Sequence, residues 1–238
     1  MRPFLGGRCD GDTLPIHRPV SRALQLGMAL RLVDRAVGCV CGQVPFQGPL
    51  AIGHECVAQV VAVGRDVERV TVGQTVVVPW AVSCGTCARC RRGLTSKCET
   101  TTAGRELAAF GFGAASGPWG GMVVDELRVP YAEHMLVPVP DGVPPERVAA
   151  AGDNLADAWR SVVPALALRP GGRVLVLGGG AKSIALYAAG LAGARTGFPA
   201  ERVTTLAAPW DDAPAAYAAH TSKVVLCREP LATRPTTS

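Results

Sequence analysis

Short apolar runs separated by turn residues make up most of the first 150 positions of the chain. The runs are rich in valine and end near glycine, proline or aspartate, which is typical of strands. Glycines crowd residues 103–121, as in a long irregular connection. The pattern predicts a β-rich domain whose strands are residues 56–63, 75–79, 122–129 and 135–139. Residues 1–27, which show no clear period, are predicted as loop or a short edge strand.

The spacing becomes helical over residues 145–168. This stretch is rich in alanine, and its larger side chains recur at intervals of three and four, which predicts a helix. Pro164 would kink or divide this helix, because proline lacks the backbone N–H that a helix interior needs. The residues predicted to share one face are Ala156, Trp159, Val163 and Leu166.

A strand, a glycine turn and a helix are predicted to follow one another over residues 173–194. Arg173 is followed by four apolar residues, three glycines come next, and a helical pattern begins at Ala181. This order is the opening of a dinucleotide-binding unit. Later elements are predicted as a strand at 202–206, a helix at 210–220 and a strand at 223–226. A complete dinucleotide-binding domain needs about five or six strands. The elements predicted here supply at most one βαβ unit.

The composition describes a globular protein. The 48% apolar and 18% charged fractions allow a sizeable core. The net charge of +5 is spread without runs, which is compatible with nucleic acid or anionic ligands but is evidence for neither. We expect no nucleic-acid partner, because no basic-aromatic stripe accompanies the cysteines. The most apolar stretch, residues 174–194, contains five glycines and Lys182, so no membrane partner is expected. The start has no apolar signal region, and nine cysteines, several at metal-ligand spacing, favour a reducing compartment. We therefore expect a cytoplasmic protein.

Four cysteines lie within fifteen residues, with two, two and seven residues between them. Thiolates this close can surround one tetrahedral zinc ion, and a four-cysteine site has no open position for chemistry. Disulfides between cysteines three apart are geometrically awkward, so buried or paired cysteines are the weaker interpretation. The sequence predicts a structural zinc held by Cys84, Cys87, Cys90 and Cys98.

Three motifs together resemble the zinc-containing medium-chain dehydrogenases of the alcohol dehydrogenase type. They are Gly53-His54-Glu55, the cysteine loop 84–98, and the segment 170–180 with its glycine turn. The resemblance implies an α+β to α/β fold: a GroES-like β-barrel catalytic domain with a truncated Rossmann-like remnant. The expected divisions are a catalytic domain at 1–155, a remnant of one strand and helix at 156–198, and a C-terminal segment at 199–238 that returns to the catalytic domain.

The same resemblance implies a catalytic zinc with an open position. His54 matches its second ligand, Asp153 its third, and Glu55 the carboxylate that orients the site or exchanges at the metal. The first ligand is assigned to Cys41, with Cys39 as an alternative and loss of the ligand at Arg31 as another. From the residues alone, His54 could instead be a core histidine and Asp153 a helix N-cap.

The cofactor implied by the resemblance is NAD(P), contacted by Gly178, Gly180 and the helix start at Ala181. Ser183 replaces the third glycine of the fingerprint. Glu201 is the candidate for the acidic residue that binds the ribose, although it lies in a loop. Most of the strands that would complete the cofactor crevice are missing from the sequence.

The resemblance therefore implies an oxidoreductase that moves hydride between a small alcohol or aldehyde and NAD(P). Uncovered apolar faces on the remnant lead us to expect a homo-oligomer. The alternative is a non-catalytic, zinc-stabilised binding or remnant protein. A nucleic-acid-binding zinc ribbon is disfavoured, because it needs two separated Cys-x-x-Cys pairs.

Overall fold

The structure is a computed structural model, and it describes residues 1–8, 53–105, 107–113, 116–174, 204–219 and 223–230. For residues 3–8 and Tyr217 only the backbone is described. Several predictions therefore lie outside the described residues. They concern Arg31, Cys39, Cys41, Gly178, Gly180, Ala181, the helix that begins at Ala181 and the strand at 173–177 beyond residue 174.

The described part is organised around a six-stranded sheet in the order β4-β3-β2-β1-β6-β5. All neighbouring pairs are antiparallel except β5 and β6, which run parallel. Strand β6 therefore lies beside β1, so the end of the described chain completes the sheet. The strands are β1 Arg2–Arg8, β2 Glu55–Gln59, β3 Thr75–Val78, β4 Val137–Pro138, β5 Leu206–Pro209 and β6 Val224–Cys227.

Apolar clusters cover both faces of the sheet at β2. Successive side chains of a strand point to opposite faces, so neighbouring residues of β2 pack into different clusters. In β2, Cys56 and Ala58 join the larger apolar cluster with Phe110 and Met122, while Val57 joins a second cluster with Val225. All five residues of β2 are buried. The strand that follows His54 is thus fixed from two sides.

The helical region 145–168 is divided into three pieces. A 3-10 turn at Pro145–Val148 is followed by a π-helical turn at Ala151–Leu155 and by a regular helix at Ala156–Leu168. Pro164 lies inside this last helix without ending it. The buried residues of this helix are Ala158 and Val162, whereas Trp159, one of the residues predicted to share a face, is 49% exposed.

The other helices are short. They are Ala88–Arg91, Ala132–Met135 and Ala213–Ala218, and 3-10 turns lie at Thr95–Lys97 and Trp210–Asp212. The helix predicted at 210–220 and the last strand are confirmed within two residues. Among the described helices, none combines the length and apolarity that crossing a bilayer requires.

Two strand predictions are wrong and one is displaced. Residues 122–129 form bends, because single hydrogen bonds such as Met122 N to Gly53 O at 2.8 Å replace a continuous ladder. Residues 1–8 contribute an interior strand that pairs on both sides, whereas a loop or edge strand was predicted. The strand predicted at 202–206 begins at Leu206, where pairing with Val224 starts.

Candidate metal centres

The four-cysteine loop follows β3 and is closed by its own backbone. Cys87 caps the short helix Ala88–Arg91 by accepting a hydrogen bond from Cys90 N at 3.4 Å. Gly85 and Gly93 have φ angles of 78° and 76°, a conformation that glycine adopts without strain. The ring of His134 also packs against Gly85, where an added Cβ would lie 2.5 Å from its Cγ. The positive φ angle and the contact with His134 therefore each require glycine at position 85.

The four sulfur atoms converge. The Sγ atoms of Cys84, Cys87, Cys90 and Cys98 all lie within 4.8 Å of one another, and Cys87 Sγ is 4.0 Å from Cys98 Sγ. Tetrahedral zinc with Zn–S bonds of about 2.3 Å places its sulfurs roughly 3.8 Å apart. The six cysteines in the described part of the chain are free thiols. The donor set and its spacing fit a closed metal site.

Hydrogen bonds to sulfur favour the thiolate form at two of the four cysteines, whereas burial raises the pKa of Cys90 to about 12. Burial raises the pKa of Cys84, but the hydroxyls of Thr100 and Thr86 and the backbone N–H groups of Thr86 and Cys87 lower it to about 5. The Thr100 hydroxyl lies 3.3 Å from Cys84 Sγ. The pKa of Cys98 is also lowered, because hydrogen bonds, first from the side chain of Thr101, outweigh burial. Two threonines that follow Cys98 thus help prepare the site, a feature the cysteine spacing did not reveal.

The second centre lies where β2 begins. His54 is 1% exposed, and its Nε2 lies 3.4 Å from Oδ2 of Asp153, a residue 17% exposed at its side chain. Asp153 belongs to the π-helical turn Ala151–Leu155, and turns of this kind are frequent at functional sites. It caps no helix, since the residue before Ala156–Leu168 is Leu155. The structure therefore brings together the predicted second and third zinc ligands.

Close backbone approaches bring these segments together. Gly53 has a φ of 91°, and an added Cβ there would lie 2.6 Å from a methyl group of Val123. Gly152 faces the end of β3, where an added Cβ would lie 2.4 Å from Val78 O. Trp80 N also donates to Gly152 O at 3.2 Å. A larger residue at either glycine would push His54 or Asp153 away from the other.

The carboxylate of Glu55 is completely buried, and both of its oxygens have partners. Lys223 Nζ pairs with Oε2, and Asn154 donates to Oε1 from its side chain and, at 3.3 Å, from its backbone N–H. Lys223 is 4% exposed. A buried charge needs a partner of this kind, because removal from water is costly.

Lys223 is held at this position by Thr205. Thr205 Oγ1 accepts from Lys223 N at 2.8 Å and donates to Lys223 O at 2.9 Å. These two residues stand just before the parallel strands β5 and β6. Asn154, Lys223 and Thr205 were not predicted from the sequence. Their contacts with Glu55 or with one another join segments that are distant in the chain, so no local pattern marks them.

Aromatic rings cover one side of His54. The ring of Phe112 lies 4.8 Å from the imidazole ring, and Trp80 meets Phe112 edge to face at 5.9 Å. Phe112 is 5% exposed. An imidazole and a carboxylate thus lie beside buried apolar rings, a combination of polar and apolar groups that ligand sites commonly have.

The donor set of the second centre also fits zinc. Imidazole nitrogen and carboxylate oxygen are both zinc ligands, and with bonds of about 2.0–2.1 Å two tetrahedral ligand atoms lie roughly 3.3 Å apart. The separation of 3.4 Å between His54 Nε2 and Asp153 Oδ2 matches that value. Within the described residues these two side chains supply two ligands, and a catalytic zinc normally has three from the protein.

A mainly antiparallel sheet that carries a closed four-cysteine loop and a buried histidine paired with an aspartate defines a class: zinc-binding domains of the GroES-like type. The comparisons agree, since residues 30–141 match the family described as "Alcohol dehydrogenase GroES-like domain". The chain belongs to the zinc-dependent alcohol dehydrogenase-like members of the medium-chain dehydrogenase/reductase family. This confirms the expected GroES-like fold class.

Individual relatives point the same way. A Mycobacterium tuberculosis protein named "Probable zinc-binding alcohol dehydrogenase Rv1895" is 35% identical over 163 residues, which is 68% of this chain and 40% of that protein. A "Glutathione-independent formaldehyde dehydrogenase" of Pseudomonas aeruginosa is 30% identical over 198 residues, 78% of this chain and 49% of that protein. The chain spans about half the length of the curated relatives it matches.

Among solved structures, "Alcohol dehydrogenase TADH from Thermus sp. ATN1" aligns with a TM-score of 0.62 at 21% identity. The alignment covers 95% of this chain and 91% of that one. At this identity the likeness concerns the fold. It supports the same architecture that the strand order and the family match indicate.

Proposed function

We propose that this chain is an alcohol dehydrogenase-like oxidoreductase whose catalytic zinc is held by His54 and Asp153. The observation that carries the proposal is the 3.4 Å separation of two ligand atoms, one on the buried His54 and one on the partly buried Asp153, at the start of β2. The names of the relatives, a zinc-binding alcohol dehydrogenase and a formaldehyde dehydrogenase, support it. The reaction is hydride transfer between a small alcohol or aldehyde and NAD(P).

The residues have distinct roles in this proposal. A zinc ion with an open position supplies Lewis-acid polarisation of an alcohol or carbonyl oxygen. His54 and Asp153 bind the ion, and Cys41 is the proposed third ligand, with Cys39 as the alternative. Glu55 orients His54 and Asp153 through its own contacts with Asn154 and Lys223. Phe112 keeps water from one side of the imidazole.

The proposed cofactor is NAD(P), bound by Gly178, Gly180 and the helix start at Ala181, as the resemblance implies. These residues lie outside the described part of the chain, so the support for them is the sequence alone. A glycine turn before a helix gives a pyrophosphate both close backbone approach and the positive end of a helix dipole.

The first test is a titration of the zinc-replete protein with NADH and with NADPH, followed by nicotinamide fluorescence. Saturable binding is expected, and zinc-dependent reduction of NAD or NADP with short alcohols or formaldehyde would then identify the substrate. No binding up to millimolar cofactor contradicts hydride transfer. A buffer titration without protein and one with bovine albumin are the controls for non-specific fluorescence changes.

The second candidate is a non-catalytic, zinc-stabilised binding protein. It is favoured by one observation: within the described residues the four-cysteine cluster is complete, whereas the His54–Asp153 centre has two ligands. Metal analysis separates the two functions. Two zinc ions per chain support the oxidoreductase, and one ion that is lost with Cys98→Ser supports the binding protein.

We also propose a homo-oligomer in the cytoplasm that acts without nucleic acid or membrane. Exposed apolar side chains support the oligomer: Leu168 is 90% exposed and Trp159 49%. Sedimentation equilibrium measures the assembly directly. A monomer at all concentrations tested contradicts this part of the proposal.

A further inference from the structure

A buried carboxamide stands directly beside the candidate metal pair. Asn154 follows Asp153 in the π-helical turn Ala151–Leu155 and is 6% exposed. Its side-chain Nδ2 and its backbone N–H both donate to Oε1 of Glu55. Two donors from one residue on one buried oxygen leave the turn little freedom to rotate against the strand.

The contacts form two consecutive pairs that face each other. His54 meets Asp153 at 3.4 Å, and the next residue along each segment, Glu55, meets Asn154. Because each peptide unit is planar and rigid, a contact at one step of the two segments limits the geometry at the other. The segments are 99 residues apart in the chain. The Glu55–Asn154 contact therefore fixes the position of Asp153 relative to His54.

The chemistry of the pocket favours a carboxamide over a carboxylate at position 154. The second oxygen of Glu55 already has the ammonium group of Lys223, so one negative charge is balanced. An aspartate would add a second buried charge and remove the donor. Asparagine supplies a donor without a charge, which satisfies the remaining oxygen.

We propose that Asn154 is a positioning residue for the metal centre: by hydrogen bonding to Glu55 it holds Asp153 within ligand distance of His54. This inference rests on the proposed function, since it takes His54 and Asp153 as metal ligands. Asn154 itself touches no reacting atom. Its effect is on the affinity and geometry of the second metal and not on the four-cysteine site.

The test uses cobalt as a spectroscopic probe in the full chain. The four-cysteine site is first filled with one equivalent of zinc, and Co²⁺ is then titrated while its visible d–d absorption is recorded. The wild-type chain is expected to bind one further equivalent. Asn154→Asp, which keeps the size and removes the donor, is expected to raise the cobalt Kd by about 10- to 100-fold.

A matched control is Asp157→Asn. It makes the opposite exchange three positions later, on a side chain that is 60% exposed and pairs with Arg160. Its cobalt titration is expected to match the wild type. A merely structural role for Asn154 would lower the unfolding temperature while leaving the cobalt Kd and spectrum of the folded protein unchanged.

A compensating exchange keeps the proposal testable if Asn154→Asp does not fold. The double variant Glu55→Gln/Asn154→Asp swaps the carboxylate and the carboxamide, so it keeps a side-chain hydrogen bond between the two positions, with its direction reversed, and keeps one negative charge in the pair. It is expected to recover most of the cobalt affinity. A folded double variant without that affinity overturns the proposal.

The outcomes separate this inference from the function on which it rests. If the wild-type chain binds no second metal, the proposed function and the inference both fall. If it does bind one and folded Asn154→Asp binds cobalt with the wild-type Kd and spectrum, only the positioning role of Asn154 is overturned.

Discussion

The two candidate metal centres differ in how far apart in the sequence the residues that form them lie. The four-cysteine loop takes all its ligands from fifteen consecutive residues. The second centre joins His54 to Asp153, and Glu55 behind it is held by Asn154 and Lys223, which lie 99 and 168 residues away. The first is a local structure, and the second exists only when three distant segments meet.

This difference has an energetic consequence. The cysteine loop has its own turns, caps and hydrogen bonds to sulfur, so its metal affinity depends little on the rest of the sheet. The second centre depends on the positions of β2, the π-helical turn and the start of β6, so its geometry reports the integrity of the whole sheet. Substitutions far from its ligands should damage it, whereas they should spare the loop.

The largest effect is expected for Lys223→Met, which leaves the buried carboxylate of Glu55 without a counter-charge. Breaking one side of a buried pair costs about 3–5 kcal/mol, so the midpoint of urea unfolding should fall strongly. The control is Glu55→Gln/Lys223→Met, which removes both charges and should restore much of the loss. Equal instability of the single and double variants would show that the lysine contributes packing and not charge.

Zinc removal should have the next largest effect. At free zinc 100 times the Kd, binding to the folded state stabilises it by about 2.7 kcal/mol, which for a chain of this size is an unfolding temperature shift of about 5–10 °C. Differential scanning calorimetry with and without a chelator measures it. The shift should reverse on adding zinc, and the part that comes from the four-cysteine site should be lost in Cys98→Ser, because Cys98 is fully buried in that cluster.

A smaller effect should separate the two centres directly. Gly152→Ala places a Cβ 2.4 Å from Val78 O, and overpacking of this kind costs about 1–3 kcal/mol. It should also weaken the second metal by displacing Asp153. Gly93→Ala is the matched change in the cysteine loop: no atom lies within 4 Å, so its cost of about 1 kcal/mol comes from the positive φ alone.

The outcome that would contradict this contrast is loss of the second metal in Gly93→Ala, or its full retention in Gly152→Ala. Metal content after dialysis, measured per folded chain, gives the answer without any activity assay. Circular dichroism confirms that each variant has kept its secondary structure.

The smallest effect is expected for Arg89→Gln. Arg89 and Glu99 lie 3.4 Å apart on the outside of the cysteine loop, both about half exposed. Solvent and salt screen such pairs, so the change in unfolding free energy should stay within about 0.5 kcal/mol. A larger loss of unfolding free energy, measured in urea, would mean that Arg89 stabilises the four thiolates in addition to forming its ion pair with Glu99.

Sequence patterns predicted the four-cysteine centre and part of the His54–Asp153 centre. The cysteine spacing predicted four converging sulfurs, because every ligand is within reach of a short loop. His54 and Asp153 were found through the resemblance to a family and not through any period in the sequence. Asn154 and Lys223 were missed, since a contact across 168 residues leaves no trace in local spacing.

The strand predictions failed where pairing partners decide the structure. Residues 122–129 have valine-rich, strand-like character, yet the backbone there makes single hydrogen bonds to Gly53 and Met1. Residues 1–8 have glycine and proline and still form an interior strand, because β2 and β6 supply partners on both sides. In both cases tertiary pairing overrides local preference.

The position of β6 beside β1 also bears on biosynthesis. One of the two neighbours of β1 is translated more than 200 positions after it. Until residue 227 has emerged, one edge of β1 has no strand to pair with, and open edges invite pairing between nascent chains. Formation of the complete sheet is therefore expected to be slow, because it needs contacts of long sequence separation, and folding of this protein should depend on chaperones.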